Sequence, residues 1–315
     1  MITYNEMIPY MEYSDYDQHF WNAMRGKNEF YDRISKGHVL GHGTYAMAPV
    51  SNTKCMAALK KEGVFRQIAT VKNAFNSGNR IWTKVCDDLA AWVPEGGEIP
   101  LYDGLKNFTR KNVDSFKLAV FVKSDLDFVR DAGFDFEEYL IHSLAQNFGR
   151  AEDNAFINGT GVNMPTGILA ENGGAEIGVT TEALTYDDVV KLFLSVQPKY
   201  RRKAFWLMND ETALALRTIV DTNGNSIWNS NGNTVFGKKV IISEFMPNMT
   251  AGSKAIAFGD FRQYWVIARS PISIRSLTEA FVELDQIGHL AIEFMDGKLI
   301  HTDAVKVMQI TDTAA

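Results

Sequence analysis

The chain has 315 residues, 46% apolar and 22% charged, which excludes collagen, coiled coil and wholesale disorder and leaves room for about two domains with buried cores. Lys and Arg number 32 against 38 Asp and Glu, a net charge of −6, so broad neutralisation of nucleic-acid phosphates is not its main work. Cys55 and Cys86 stand outside any CxxC pair; a disulfide framework and a cysteine zinc site are excluded, and a reducing compartment fits.

The first twenty residues carry Glu6, Glu12, Asp15 and Asp17 and no apolar run, so no signal peptide is expected there. No stretch approaches the roughly eighteen apolar residues of a membrane span. Residues 1–63 show mixed polarity without a sustained period and read as an arm lying on something else. From Val71 to Pro100 the composition predicts two extended runs with turns at Asn76-Ser77-Gly78 and Glu95-Gly96-Gly97. Trp82 and Trp92 lie in this thin segment, either packed back on their own domain or presented to a neighbour.

A long helix is predicted from Asp135, which with Glu138 forms a capping box. Phe136, Leu140, Leu144, Phe148, Ala151 and Ala155 recur at helical spacing until Asn158-Gly159. Thr185 heads a second helix that Pro198 stops. Residues 204–208 read as a buried strand, and Asn209 caps a short helix after it. Beyond Asp221 the chain is strand-rich, at 240–243, 255–258, 264–269 and 272–277. Asp296-Gly297 carries a hairpin signal between two further strands, and a last strand follows from Ala304. Helices first and strands later indicate an α+β chain.

Several patterns suggest chemistry and have a plainer explanation. Gly232 to Lys238 matches most of a phosphate-binding loop, but Lys239 replaces the magnesium-binding hydroxyl and a strand follows, so a turn is expected. His38 and His42 sit among glycines that would break a metal-binding helix. Glu137-Glu138 and Asp187-Asp188 fall in first helical turns, where acids suit the helix dipole. Lys199 to Lys203 is the densest positive run, suited to a solvated loop or to an inter-subunit or nucleic-acid contact. No GxSxG, HExxH or GxGxxG occurs, and nothing calls for a cofactor or a metal.

Read in order, many short pieces resemble the major capsid protein family of tailed phages, the Hong Kong 97-type fold. They are Phe20-Trp21 with Met24-Arg25-Gly26, Ala91 to Gly96, Phe134 to Leu140, Ala151 to Gly161, and Pro165 to Leu169. Phe236 to Val240, Glu244 with Met246-Pro247, Phe258 to Phe261 and Ala304-Val305-Lys306 complete the series over residues 20–310.

The resemblance implies an N-terminal arm (1–63), a peripheral domain with a spine helix (64–71 and 100–158), an extended E-loop hairpin (72–99) and an axial domain (159–271). Peripheral strands (272–300) and a return to the axial domain (301–315) would follow. It implies a spine-helix core of Phe136, Leu140, Leu144 and Phe148. Inter-subunit contacts are expected from Arg80, Trp82, Lys84, Trp92 and Glu95 of the E-loop and from Phe20, Trp21 and Arg25 of the arm.

The implied function is a structural shell of homo-pentamers and homo-hexamers enclosing double-stranded DNA without sequence specificity. No enzyme activity and no membrane are implied, and the shell would be assembled in a bacterial host cytoplasm. The arm begins within twenty residues of Met1, so scaffolding is expected from a separate protein, with a portal as a further partner. Some members crosslink through a Lys, an Asn and a Glu; Lys84 and Glu293 are the nearest candidates, but no Asn lies in 281–287, so a crosslink is not expected. An encapsulin-like compartment shell and a soluble α+β enzyme remain as other readings.

Overall fold

The computed structural model describes residues 14–37, 43–74, 80–84, 92–98, 108–131, 133–220 and 224–311. In chain order come α1 (Ser14–Met24), β1 (Thr44–Ala46), α2 (Pro49–Glu62), α3 (Phe65–Ile68), β2 (Thr70–Asn73), β3 (Arg80–Lys84) and β4 (Phe108–Asn112). Next are β5 (Phe116–Asp125), α4 (Leu126–Arg130), the long α5 (Phe136–Asn158), β6 (Glu176–Thr181), α6 (Tyr186–Ser195), α7 (Pro198–Arg201), β7 (Phe205–Met208) and α8 (Asp210–Thr218). The strands β8 (Trp228–Asn229), β9 (Thr234–Val235), β10 (Lys238–Ile242), β11 (Ile256–Gly259), β12 (Tyr264–Ala268), β13 (Ser273–Leu277), β14 (Gln286–Leu299) and β15 (Val305–Ile310) complete the fold.

Caps fix the helix starts where the sequence places them. The Asp135 carboxylate accepts from the Glu138 amide, the Thr185 hydroxyl from the Asp188 amide and the Asn209 side chain from the Thr212 amide. Pro198 ends the α6 segment and opens α7 at its first turn, where its missing N–H costs nothing.

A six-stranded sheet is organised by β14, which pairs along one edge with β5 and along the other with β13 and then β12. The α1, α2 and α5 helices cover it, burying Phe20, Met24, Leu59, Leu140, Leu144, Phe148 and Ile287 together. The second sheet has seven strands in the order β6-β15-β11-β7-β10-β9-β8 and its own core around Trp206, Phe258 and Leu192. Between the sheets, Phe65, Phe156, Phe261, Tyr264, Leu207 and Val305 share a third apolar cluster. A separate two-stranded ribbon is formed by β3 and β4.

Four expectations change. The described part of the arm packs on the chain itself: α1 is amphipathic, and Tyr16, Phe20 and Met24, spaced by a helical turn, enter the chain's own core. The strand paired with β3 is β4 at 108–112, beyond residue 99, while Lys72 and Asn73 belong to β2, which pairs with β12 in the six-stranded sheet. β12 falls in the range 159–271 expected to be axial, yet its ladder is with β14. An apolar run such as Tyr-Trp-Val-Ile-Ala shows that a strand is buried without showing which sheet takes it.

Asp296-Gly297 makes no turn and lies inside the continuous β14. The Tyr264 hydroxyl and the Phe156 ring press on the Gly297 backbone, where a Cβ would collide with both. The hairpin chemistry occurs instead at Phe236-Gly237, both at positive φ, between the paired strands β9 and β10. The phosphate-loop look-alike is therefore a turn. Asn76-Ser77-Gly78, His38 and His42 lie outside the described residues.

Candidate assembly surfaces and the buried charge cluster

The β3–β4 ribbon has two unlike faces, because strand residues alternate sides. Ile81 packs toward Val113 and Ile267, and the buried Thr83 donates its hydroxyl to Thr109 O at 3.1 Å. On the other face Trp82 stands opposite Arg110 and is 66% exposed, with Arg80 exposed beside it. Lys84 ends β3, opposite Phe108. Trp92 and Glu95 are not in a strand; both are exposed, Trp92 completely, on a segment closed by the Gly97 amide donating to Pro94 O at 2.9 Å. Tryptophans left in water carry a hydrophobic cost that a partner surface would remove.

The arm residues behave differently. Phe20 and Trp21 are buried; the Trp21 indole donates to Ser51 Oγ at 2.9 Å and meets the Phe136 ring edge-on. The Arg25 guanidinium donates to Val129 O at 2.7 Å, Phe134 O at 3.0 Å and Asp131 O at 3.3 Å, and sits over Phe136. Trp21 and Arg25 therefore clamp α1 onto the chain's own α4–α5 corner, and Phe20 enters the core beside them. Phe20 and Trp21 are core residues of their own chain, because an apolar helix face with a core beside it is buried at once, while Arg25 is half-buried.

Phe136, Leu140, Leu144 and Phe148 are fully buried on α5, joined by Phe156 and Ile157, whereas Ala151 and Ala155 are only half-buried. Between them the same buried face carries two acids. Glu152 binds Arg66 of α3 through two contacts, Oε2 to Nε at 2.6 Å and Oε1 to Nη2 at 2.7 Å. Arg66 Nη2 also reaches Glu293 Oε1 on β14 at 3.1 Å, and all three side chains are buried. Asp153 accepts from the Val64 and Phe65 amides at 2.7 and 2.9 Å, capping the start of α3.

Burial is the largest influence on these acids. It pushes Glu293 up to about 8, with Glu152 adding to the rise and Arg66 opposing it. It pushes Asp153 up to about 6 against the two amides that favour its charge. Cys55 nearby is pushed up to about 12, again by burial first, so its thiol is inert. The cluster ties α3, α5 and β14 together at the joint between the sheets. Its acids face Arg66 and backbone amides, and one Glu293 oxygen, Oε2, is buried without a hydrogen-bond partner.

The adjacent acids sit in first helical turns: Glu137 and Glu138 in that of α5, with Glu137 bound to Lys54 at 2.7 Å, and Asp187 and Asp188 in that of α6. Among the described residues no cluster of His, Cys, Asp or Glu has metal-site geometry. No described helix is long and apolar enough to cross a membrane.

Spine helix on a six-stranded mixed sheet, second sheet and two-stranded ribbon together make a phage-capsid subunit fold. The chain belongs to the phage capsid family, whose sequence model matches residues 43–310. It is similar to the capsid polyprotein of Pseudomonas phage PAJU2, 27% identical over 209 residues covering 62% of this chain and 30% of that protein. It is also similar to the probable major capsid protein gp17 of Mycobacterium phage D29, 28% identical over 174 residues covering 55% and 54%. The chain thus spans about a third and about half of these two relatives.

Among solved structures, the capsid of an empty GTA particle computed with C5 symmetry is 28% identical, with a TM-score of 0.63 over 79% of this chain and 90% of that one. The chain from Gordonia phage Cozz shares the fold at 12% identity, with a TM-score of 0.53 over 80% and 87%.

Proposed function

We propose that this chain is the structural subunit of an icosahedral phage head or prohead and has no catalytic role. Copies gather as pentamers and hexamers, and many moderate contacts closed by symmetry add up to a stable container. The observation that carries this reading, beside membership of the phage capsid family, is the ribbon segment with Trp82 and Trp92 exposed. Arg80, Trp82, Lys84, Trp92 and Glu95 are the residues proposed to meet a neighbouring copy.

The enclosed material is double-stranded DNA, held without sequence specificity. A net charge of −6 suits a container that does not grip its contents. Assembly takes place in the bacterial host cytoplasm with scaffolding and portal partners, and the product is the virion.

Negative-stain microscopy and mass photometry of the purified full chain, alone and co-expressed with a scaffolding partner, test the reading. Closed particles are expected. A chain that stays monomeric or dimeric under every assembly condition overturns it, and particles loaded with a protein cargo in place of DNA would favour a compartment shell.

A further inference from the structure

The outer edge of β5 is ten residues of strand whose ladder, among the described residues, is with β14 alone. The Leu126 amide donates to Asp285 O, in register with the Asp125–Gln286 pair. In an antiparallel ladder hydrogen-bonded and non-bonded pairs alternate, so the even-numbered residues of β5 bond β14. The N–H and C=O of Lys117, Ala119, Phe121, Lys123 and Asp125 therefore point away from the sheet. The side chains of those same residues are exposed.

We propose that this edge pairs, antiparallel and across a two-fold axis, with β5 of a second copy of the chain, in the register centred on Phe121. A two-fold contact must be self-complementary, and the edge is. In this register Lys117 faces Asp125 of the second copy and Asp125 faces its Lys117. Phe121, 45% exposed, faces Phe121, and Ala119 faces Lys123. Each outward N–H and C=O of the five residues finds a partner. Other registers are worse: centring on residue 120 sets Lys117 against Lys123, centring on 123 sets lysine against lysine, and centring on 119 or 122 leaves no lysine facing an acid within the strand.

Lysine on an edge strand commonly serves to prevent pairing. Here Lys123 is turned back over the Phe281 ring of its own chain at 5.7 Å, leaving the edge clear. One carboxylate oxygen of Asp125 accepts from Gln286 at 3.0 Å, and the other is left for a lysine. The second copy rests on the shell reading, but the pairing stands or fails by its own measurement.

The experiment places Phe121→Cys in a Cys86→Ser full chain and oxidises both the particles and the concentrated free chain. Facing residues of a bonded antiparallel pair lie about 5.5 Å apart at Cα, within disulfide reach. A dimer band on a non-reducing gel is expected. Ala119→Cys is expected to stay monomeric, because its two copies are separated by about four residues along the strand.

In a second arm that leaves Phe121 intact, Lys117→Asp abolishes the dimer contact in solution and adding Asp125→Lys restores it. Normal particles without a crosslink at 121, equal crosslinking at 119 and 121, or no restoration by the charge swap overturns the pairing. A crosslink at 121 in a chain that never forms particles upholds the pairing and sinks the shell.

Discussion

Arg66 and Glu152 form a two-pronged ion pair at 2.6 and 2.7 Å with both side chains buried, and the same guanidinium holds Glu293. A buried pair of this kind contributes little net stability by existing but is costly to break, since the remaining charges lose their compensation. Arg66→Ala is expected to destabilise the folded chain by about 3–5 kcal/mol in urea unfolding. Combining Arg66→Met with Glu152→Leu is expected to recover part of that loss. Equal stability of Arg66→Ala and the parent would remove the cluster from the account of how α3, α5 and β14 are joined.

Burial of Glu293 sets the sign of a pH slope in the stability. Its folded value of about 8 lies above the ordinary 4.5, so between those values the folded chain keeps a proton that the unfolded chain has lost. Its contribution is full below about 4.5 and is lost as the pH rises through about 8. Asp153, raised from 3.8 to about 6, acts in the same direction at lower pH. Thermal unfolding of the parent is expected to shift to lower temperature from about pH 5 to about pH 8.5, and more steeply than in Glu293→Gln. Parallel curves for the two proteins would rule out Glu293 as the source.

Leu144 sits at the centre of the buried α5 stripe. Leu144→Ala leaves a cavity there and should cost about 2–5 kcal/mol. Particle yield should fall with it, because the folded subunit becomes scarce. Normal yield and an unchanged denaturation midpoint would contradict the role given to the spine.

Gly297→Ala tests the close approach at the middle of the joint. Its Cβ would meet the Tyr264 hydroxyl, which donates to Thr166 O at 2.9 Å, and Phe156 Cε1 at 2.8 Å. Overpacking of this kind should cost about 1–3 kcal/mol. A neutral substitution would mean that the aromatic pair can move aside.

Trp82→Ala with Trp92→Ala separates assembly from folding. Both side chains are exposed, so the thermal midpoint of the free chain should stay within what about 0.5 kcal/mol produces. Particle formation should drop sharply if they meet a neighbouring copy. Unimpaired particles would take these two residues out of the interface.

Much of the fold follows from local signals in the sequence. The α5 helix, its cap at Asp135 and its stripe of Phe136, Leu140, Leu144 and Phe148 are legible because capping and helical spacing act within a few residues. The β7–α8 unit with Asn209 between is legible for the same reason. Glu152 continues that stripe at the next turn, where an apolar residue is expected, and Glu293 takes an inward position in the alternation of Ile287, His289 and Ala291. Two acids in apolar patterns signal a buried cation, but nothing local picks out Arg66, more than eighty residues before Glu152.

Tertiary structure alone decided which partners each surface met. The short amphipathic α1 holds Phe20 and Trp21, and only the presence of the α4–α5 corner makes them core residues and not an external contact. β12 joins β14 and not the second sheet because Tyr264 and Phe156 close over Gly297, which also overrides the turn preference of Asp-Gly. Sequence thus determined the elements whose energetics are local. Long-range burial determined the sheet memberships, the extent of the ribbon and the charge cluster, because apolar surface is buried against whatever neighbour the completed fold supplies.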